Sequence, residues 1–185
     1  MNVGLALALF FTLGWMLMYT FRAESRSAAL PFYSGRERLW VQFTPVFMFA
    51  HMSAACITIT RAPVISAPSG VLGVATFVAA IAFWFWGRMM IGPLRVRRLP
   101  EEPPLRLRSD GAFGIVRHPL YFGYLLAASA PLLVVPRPFL LGTLGVCFVA
   151  LAVRALQEER RLHAQLGTEY EAYCRSVRRL IPFVW

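Results

Sequence analysis

The chain has 185 residues, of which 58% are hydrophobic, and its formal net charge is +10. A soluble domain of this length could not bury so much apolar surface, so the composition predicts an integral membrane protein. The positive charge comes from arginine alone, and the arginines lie in short segments between apolar runs. That placement favours membrane flanks over a nucleic-acid partner. The three cysteines show neither metal nor disulfide spacing, so no metal site is expected.

Five apolar segments follow one another along the chain, and each approaches the roughly 20 residues that a membrane helix needs. They cover residues 3–21, 40–60, 70–91, 119–135 and 138–156. The last two would form one overlong helix if Pro131, Pro136 and Pro138 did not interrupt the run. We therefore expect an all-α membrane protein with five transmembrane helices, of which the last two form a helical hairpin.

The arginines alternate along the chain in a way that orients these helices. The segments that follow successive spans hold 4, 1, 7, 1 and 6 arginines, and all nine carboxylates lie in the three arginine-rich segments. The positive-inside rule assigns those three segments to the cytoplasm. We therefore expect a multi-pass membrane protein with its N-terminus outside and its C-terminus in the cytoplasm.

The fifth apolar segment is expected to continue as a helix beyond the hydrocarbon. Its helical pattern runs to Leu166, where Gly167 supplies a break. A helix over 138–166 would be about 43 Å long, whereas the hydrocarbon core of a bilayer is about 30 Å thick. Its last turns would therefore project from the membrane and carry Glu158 and Glu159 just above it.

A short amphipathic helix is predicted after that break. Thr168 and Glu171 have the spacing of a capping box, with Thr168 as the N-cap. Four apolar or aromatic residues follow at intervals of three or four and share one helical face: Tyr170, Tyr173, Val177 and Leu180. We expect this helix to fold back as a lid over the projecting end of the preceding one.

Ionisable side chains are concentrated where the fourth span begins and the fifth ends. Arg117, His118 and Tyr121 lie at the first point, whereas Arg154 and Glu158 lie at the second, four residues apart on one helical face. Basic residues often anchor span ends, and a snorkelling arginine paired with a solvated glutamate is a common arrangement. Because both clusters meet at one membrane edge, where unpaired charge is costly, we interpret them as a ligand site.

The segment between the third and fourth spans also carries a functional signal. It runs 28 residues from Gly92 to Pro119, longer than an ordinary connection, and loops of that length are often functional. Apolar and basic residues alternate over 105–108 before a turn at Asp110 and Gly111. Elsewhere, His51 is an intramembrane imidazole, which either marks function or makes a helix–helix hydrogen bond; the sequence leaves both open.

Two separated motifs carry a family resemblance. They are Gly111-x-Phe113-x3-Arg117-His118-Pro119-x-Tyr121-x-Gly123 and Arg154-x3-Glu158-Glu159-x2-Leu162, the latter followed by Gly167-x2-Tyr170-x2-Tyr173 and Pro182. In this order and spacing they resemble the isoprenylcysteine carboxyl methyltransferase and phospholipid methyltransferase superfamily of integral membrane enzymes. The resemblance covers about residues 95–185. It implies a substrate-side half over 1–91 and a cofactor-binding catalytic half over 92–185.

The resemblance implies S-adenosyl-L-methionine as the cofactor, bound in a cytosolic pocket between the loop and the helical hairpin. By motif position its binding residues would be Leu105, Arg106, Leu107, Arg108, Phe113, His118, Pro119, Leu120, Tyr121 and Glu158. Arg154 and Glu158 would be the catalytic residues, with Arg154 facing the acceptor. Relatives commonly carry tyrosine where this chain has Phe113, so a hydroxyl contact is missing here, although stacking on adenine remains available.

The implied function is methyl transfer to a hydrophobic or lipidic acceptor that arrives from the bilayer at the cytoplasmic membrane face. Phospholipid N-methylation and S-methylation of a small hydrophobic thiol are alternatives that the sequence leaves open. An NADPH-dependent membrane reductase is disfavoured, because such relatives typically carry Asn and Glu where this chain has Leu120 and Tyr124. A scaffold that kept the fold but lost catalysis is disfavoured by the intact His118, Arg154 and Glu158.

Overall fold

The computed structural model describes residues 3–29, 35–91 and 107–185. Over these residues the regular elements are helices, and a single parallel bridge joins Val116 to Arg178. The helices are α1 Val3–Ala29, α2 Gly35–Thr60, α3 Ala67–Ile91, α4 Ala112–Ile115, α5 Pro119–Val134, α6 Pro138–Leu166 and α7 Thr168–Ser176. The predicted all-α class is therefore confirmed for the described part of the chain.

Three of the helices are long and apolar enough to cross a membrane. These candidate spans are Gln42–Thr60, Ala67–Ile91 and Pro138–Leu166, and two shorter apolar helices cover Val3–Tyr19 and Pro119–Val134. The chain is thus a helical membrane protein. The five apolar helices coincide with the five expected spans, and among the described residues three of them combine the length and the hydropathy of a crossing helix.

Small residues allow α3 and α5 to lie in close contact along much of their lengths. A Cβ atom added at Gly73 would lie 2.3 Å from a methyl carbon of Val134, and one at Gly123 would lie 2.8 Å from the Cβ of Trp84. Both distances are shorter than real contacts allow, so these positions accept only glycine without rearrangement. Helices in lipid commonly associate through such small residues. This contact fixes the start of α5, where the ionisable residues lie.

His51 resolves one alternative that the sequence left open. Its side chain is buried, its Nδ1 lies 2.8 Å from the hydroxyl oxygen of Thr143 on α6, and its Nε2 lies 2.9 Å from the carbonyl oxygen of Ala128 on α5. A single imidazole on α2 therefore bridges three helices. Hydrogen bonds between helices satisfy polar groups that lipid cannot. We interpret His51 as a structural residue.

Three local expectations were wrong. Val177 and Leu180 do not share a helical face with Tyr170 and Tyr173, because α7 ends at Ser176 and Val177 is extended. Pro131 does not interrupt the run, because it lies in the last turn of α5, and the helix ends at Val134. The capping box at Thr168 is also absent: Thr168 is already the first helical residue of α7, and the cap is Gly167, at φ 53°, without a side-chain hydrogen bond. Because α6 and α7 are separated by Gly167 alone, no extended residue remains to serve as a side-chain cap.

The C-terminal segment, residues 177–185, returns to the start of α5. The backbone N–H of Arg117 donates to the carbonyl of Arg178 at 2.8 Å, and that of His118 donates to the carbonyl of Arg179 at 3.1 Å. The segment then turns back on itself, with the N–H of Leu180 donating to the carbonyl of Trp185 at 2.7 Å. These backbone hydrogen bonds hold the C-terminal segment, and with it α7, against the charged end of the bundle.

Candidate active site

The motif that runs from Gly111 to Gly123 positions its side chains through local backbone constraints. Pro119 occupies the first turn of α5, where its missing N–H costs nothing, and His118 precedes it with φ −121° as the cap. Tyr121 follows in the first turn, and its ring stacks on the imidazole of His118 with 5.4 Å between centroids and 5° between planes. The His-Pro-x-Tyr sequence therefore builds a rigid pair of rings at the helix start.

Glu158 on α6 gathers three of the predicted site residues. The hydroxyl of Tyr121 donates to Oε1 of Glu158, and Nη2 of Arg154 lies 3.6 Å from the same oxygen. Nδ1 of His118 lies 3.5 Å from the other oxygen, Oε2. The guanidinium of Arg154 also lies over the ring of Tyr121, 5.2 Å from its centroid, and the side chain is buried. Cation–π contact and the carboxylate together stabilise this buried cation.

Glu159 is the second hub, and it contacts three cationic side chains from two parts of the chain. Its Oε1 accepts from Nε of Arg117 at 2.9 Å and lies 3.4 Å from Nε2 of His118. Its Oε2 accepts from Nε of Arg179 at 2.8 Å. Because the Glu159 side chain is only 6% exposed, it would be costly to bury without these partners.

The charge cluster, which we define as Arg117, His118, Arg154, Glu158, Glu159 and Arg179, sets the ionisation of its histidine. Burial alone would lower the pKa of His118, but the carboxylates of Glu158 and Glu159 outweigh that effect and raise the pKa above its ordinary value. The imidazole is therefore stabilised as a cation that donates to both carboxylates. The two carboxylates therefore favour a positive charge beside the N-terminus of α5.

A cavity of about 650 Å³ opens beside the cluster, and we call it the larger cavity. It lies between the ends of α3 and α6, the segment before α4, and α7, and its lining residues are Met90, Ile91, Leu107, Arg108, Asp110, Phe113, Arg117, Leu162, Leu166, Tyr170 and Tyr173. The tyrosines come from the predicted lid helix, so α7 forms one wall. Its volume is typical of small-molecule sites, which measure roughly 300–1,000 Å³.

Met90 and the residues before α4 shape the floor of that cavity. Arg108 donates to the carbonyl of Met90, and the backbone N–H of Ala112 donates to its sulfur at 3.3 Å. Gly111 has φ +54°, and a Cβ there would lie 2.5 Å from the same sulfur. Only glycine combines that backbone conformation with that close contact, so Asp110-Gly111 forms the turn that the sequence predicted.

A second cavity, of about 250 Å³, adjoins the first, and we call it the smaller cavity. The two share four lining residues: Ile91, Phe113, Arg117 and Leu162. The remaining walls of the smaller cavity are His118, Pro119, Leu120, Tyr121 and Glu158. Of the charge cluster, His118 and Glu158 therefore line the smaller cavity, and Arg117 lies where the two cavities meet.

Most of the predicted site residues lie together around these two cavities. Leu107, Arg108 and Phe113 line the larger cavity, whereas His118, Pro119, Leu120, Tyr121 and Glu158 line the smaller one. Arg154 lines neither, and it reaches the site through Glu158 and the ring of Tyr121. Leu105 and Arg106 lie outside the described residues.

Sequence reasoning missed two participants. Met90 looks like any apolar residue at the end of a span, and nothing in its neighbourhood signals a wall of the larger cavity. Arg179 is one of several arginines near the C-terminus, and its contact with Glu159 depends on the return of residues 177–185 to α5.

A helical hairpin in a membrane bundle, with adjoining cavities and a buried charge cluster at its end, is the structure of a membrane protein with a candidate small-molecule site. The isoprenylcysteine carboxyl methyltransferase (ICMT) family matches residues 72–164, half of the chain. The chain belongs to that family. The match runs from α3 to the end of α6, so it contains both hubs of the charge cluster.

Two curated relatives are methanethiol S-methyltransferases. The protein from Pseudomonas sp. (strain GM41(2012)) is 29% identical over 113 residues, which is 61% of this chain and 42% of that protein. The protein from Crocosphaera subtropica (strain ATCC 51142 / BH68) is 31% identical over 84 residues, 45% of this chain and 32% of that protein. The matched region thus spans less than half the length of either relative.

Proposed function

We propose that this protein is an S-adenosylmethionine-dependent methyltransferase that acts on a hydrophobic acceptor at the cytoplasmic membrane face. The observation that carries the proposal is the smaller cavity, which His118, Tyr121 and Glu158 line and which meets the larger cavity at Phe113 and Arg117. One cavity is large enough for a soluble nucleoside cofactor, and the adjoining one confines a smaller group next to it. Family membership and the methyltransferase relatives support the same reaction class.

The residues of the larger cavity fit the cofactor. Phe113 offers an aromatic face for adenine, and Leu107, Leu162 and Leu166 supply apolar walls. We assign His118 at the start of α5 to the cofactor as well, since it lines the cavity that adjoins the larger one. Glu158 would hold the amino or ribose end, since it has accessible surface in the smaller cavity.

The cofactor, when bound, supplies an electrophilic methyl group on a sulfonium. The protein then needs to align the attacking atom and exclude water, and such orientation can contribute about 7–11 kcal/mol. His118 and Tyr121 are suited to this because stacking and the two carboxylates fix their rings. The buried Arg154 would hold or stabilise an anionic acceptor.

The charges of the site favour an acceptor that reacts as an anion. The cluster holds three arginines and a cationic histidine against two carboxylates, so an approaching amine would meet excess positive charge. A carboxylate or a thiolate would be attracted instead. This argues against phospholipid N-methylation and leaves isoprenylcysteine-like carboxylates and thiols as acceptors.

A small thiol is the second candidate acceptor, and two observations favour it. The smaller cavity of about 250 Å³ suits a compact group better than a bulky head group. Both curated relatives are named for methanethiol as well. A thiol of that size could reach the site without a wide opening toward the lipid.

The reaction is proposed to occur on the cytoplasmic side. The arginine alternation along the sequence and the length of α6, which extends past any hydrocarbon core, support five spans with the N-terminus outside. Arg154 then lies one helical turn nearer the bilayer than Glu158. An acceptor from the membrane would meet Arg154 first, and a soluble cofactor would meet Glu158 first.

Calorimetry on the purified protein tests the proposal. S-adenosylmethionine and its demethylated product S-adenosylhomocysteine should bind, whereas NADPH should not. Binding of NADPH alone would instead indicate a membrane reductase, and binding of neither would indicate a scaffold. A second assay with methyl-labelled cofactor should compare methanethiol, a prenylcysteine analogue and a phospholipid with an amine head group; transfer only to the phospholipid would contradict the argument from charge.

A further inference from the structure

The C-terminal segment contacts His118 twice, through its backbone and through a side chain. The carbonyl of Arg179 accepts the N–H of His118 at 3.1 Å. The guanidinium of the same residue holds Oε2 of Glu159 with two nitrogens, each at 2.8 Å. The other oxygen of Glu159 lies 3.4 Å from the imidazole. Arg179 therefore constrains both the main chain and the side-chain partner of His118.

Arg179 is itself held in place by aromatic packing. Its guanidinium lies over the ring of Trp185, 4.9 Å from the centroid, and that ring packs against Phe148 on α6 with 5.7 Å between centroids. The side chain is thus fixed between a carboxylate and an indole. A planar guanidinium is suited to both contacts at once, whereas an ammonium would satisfy only part of them.

Glu159 has no place in either cavity wall, so its role is indirect. Its two oxygens divide their partners: Oε1 faces Arg117 and His118, and Oε2 faces Arg179. If the Arg179 contact were lost, the carboxylate could rotate toward the imidazole. The ring of His118 would then lose its present stacking on Tyr121, which forms part of the smaller cavity.

We propose that Arg179 is a positioning residue for methyl transfer, which acts through Glu159 to fix the orientation and charge of His118. The proposal rests on the proposed function, because His118 is assigned to cofactor binding there. It extends the site to a segment that lies beyond the lid helix and outside the matched family region. The neighbouring Arg178 has an exposed side chain and serves as a matched control with the same charge.

The ionisation of His118 reports on this arrangement directly. The groups that face it or its partners come from α5, α6 and the C-terminal segment: Arg117, Tyr121, Arg154, Glu158, Glu159 and Arg179. Removing the cation Arg179 should strengthen the pull of Glu159 on the imidazolium, and neutralising Glu159 should weaken it. The two changes therefore shift the pKa of His118 in opposite directions, which a general loss of structure would not do.

The experiment uses the full chain with isotope-labelled histidine. The chain holds three histidines, so His118→Gln assigns the relevant imidazole resonance. Arg179→Gln should raise the pKa of His118 by about one pH unit, and Glu159→Gln should lower it by about as much. Arg178→Gln should leave it unchanged. Equal shifts in the Arg178 and Arg179 variants, or shifts of the same sign in the Arg179 and Glu159 variants, would overturn the proposal.

Cofactor binding provides the second readout. Arg179→Gln should raise the Kd of S-adenosylhomocysteine about tenfold, since small misplacements of binding groups have effects of this size. Arg179→Lys should restore the pKa of His118 but recover the affinity only in part, and it replaces Arg179→Gln if that variant does not fold. If Arg179→Gln shifted the pKa of His118 but left the Kd of S-adenosylhomocysteine at its wild-type value, the proposal would also be overturned. Failure of the wild-type protein to bind the cofactor would instead reject the proposed function, while the resonance shifts remain measurable.

Discussion

Arg154 and Glu158 lie one helical turn apart on α6, yet their surroundings differ. Glu158 lines the smaller cavity and receives Tyr121, His118 and Arg154, whereas Arg154 is buried against the ring of Tyr121. The arrangement separates a residue that can reach the cofactor from one that lies toward the membrane. Substitutions at the two positions should therefore have different kinetic effects.

Arg154→Ala should lower kcat about 100-fold, as loss of one stabilising charge in a site often does. The Kd of the cofactor should change by less than about threefold, because Arg154 lines neither cavity and would make no direct contact with the cofactor. Arg154→Lys should rescue turnover poorly, since it lacks the planar fork. Turnover with the identified acceptor and calorimetry check both values. Lost cofactor binding with normal turnover at saturating cofactor would reverse the assigned roles.

His118 should make stability depend on pH with a defined sign. The pKa of His118 is raised above its ordinary value of 6.5 in the folded protein, so the folded state binds the proton more tightly than the unfolded state. The resulting stabilisation is complete below pH 6.5 and is lost as the pH rises through the folded-state pKa. The Tm of wild type should therefore exceed that of His118→Gln most at low pH. A difference that grows toward alkaline pH would mean that the histidine is buried uncharged.

The sequence predicted this site at the level of residue types and spacing. His118, Pro119 and Tyr121 are close in sequence, and Arg154 and Glu158 share a helical face, so local geometry alone brings each group together. A short turn between α5 and α6 predicted that the start of α5 and the end of α6 lie side by side, so the two groups of residues were expected to meet. The contacts of Arg179 and Met90 depend on segments that are distant in sequence and pack together in the fold. The periodicity of the sequence does not indicate which distant segments pack together.

At the scale of the helices, close contact between α3 and α5 is the feature that fixes the site. Gly123 lies two residues beyond Tyr121 and faces Trp84, so the same turn of α5 carries both the packing residue and a site residue. Any displacement of this turn moves the ring that contacts Glu158. The packing of α3 against α5 therefore affects the position of a candidate site residue directly.

Gly123→Ala should destabilise the fold and weaken cofactor binding together, because the added methyl group would lie 2.8 Å from the Cβ of Trp84. Overpacking of this kind typically costs about 1–3 kcal/mol. Gly142→Ala on α6 is the matched control, since nothing lies within 4 Å of its added Cβ. That variant should be as stable as wild type or slightly more so. Equal Tm values for both variants would show that α3 and α5 can separate without cost.

Helix boundaries were predictable where proline and glycine mark them. Pro138 and Gly167 bound α6 as expected, over the full range 138–166. Pro131 misled because one proline removes a single hydrogen bond without ending a membrane helix, and α5 continues to Val134. The short α4 carried no signal at all, since Ala112–Ile115 is a single turn set by the backbone of Gly111.

At the scale of the whole molecule, the orientation in the membrane decides which compartment supplies the cofactor. A reporter fused after Arg137 should lie outside, and one fused after Trp185 should lie in the cytoplasm, because the arginine-rich segments are expected inside. Paired reporters that are active on opposite sides of the membrane measure this. The five-span arrangement has one crossing, α6, between these two points. If both reporters were active on the same side of the membrane, that arrangement would be contradicted.

The hydroxyl of Tyr173 on α7 donates to the carbonyl of Phe113 at 2.6 Å, which joins the lid helix to the opposite wall of the larger cavity. The rate at which a bound nucleoside leaves would therefore depend on how often the hydrogen bond between Tyr173 and Phe113 breaks. Tyr173→Phe keeps the ring but removes the bond, so the residence time of S-adenosylhomocysteine should shorten about fivefold. Because product departure limits turnover in many enzymes, the same variant could turn over faster than wild type. Stopped-flow dissociation measures the rate, and an unchanged residence time would mean that the cofactor leaves by a path that does not pass α7.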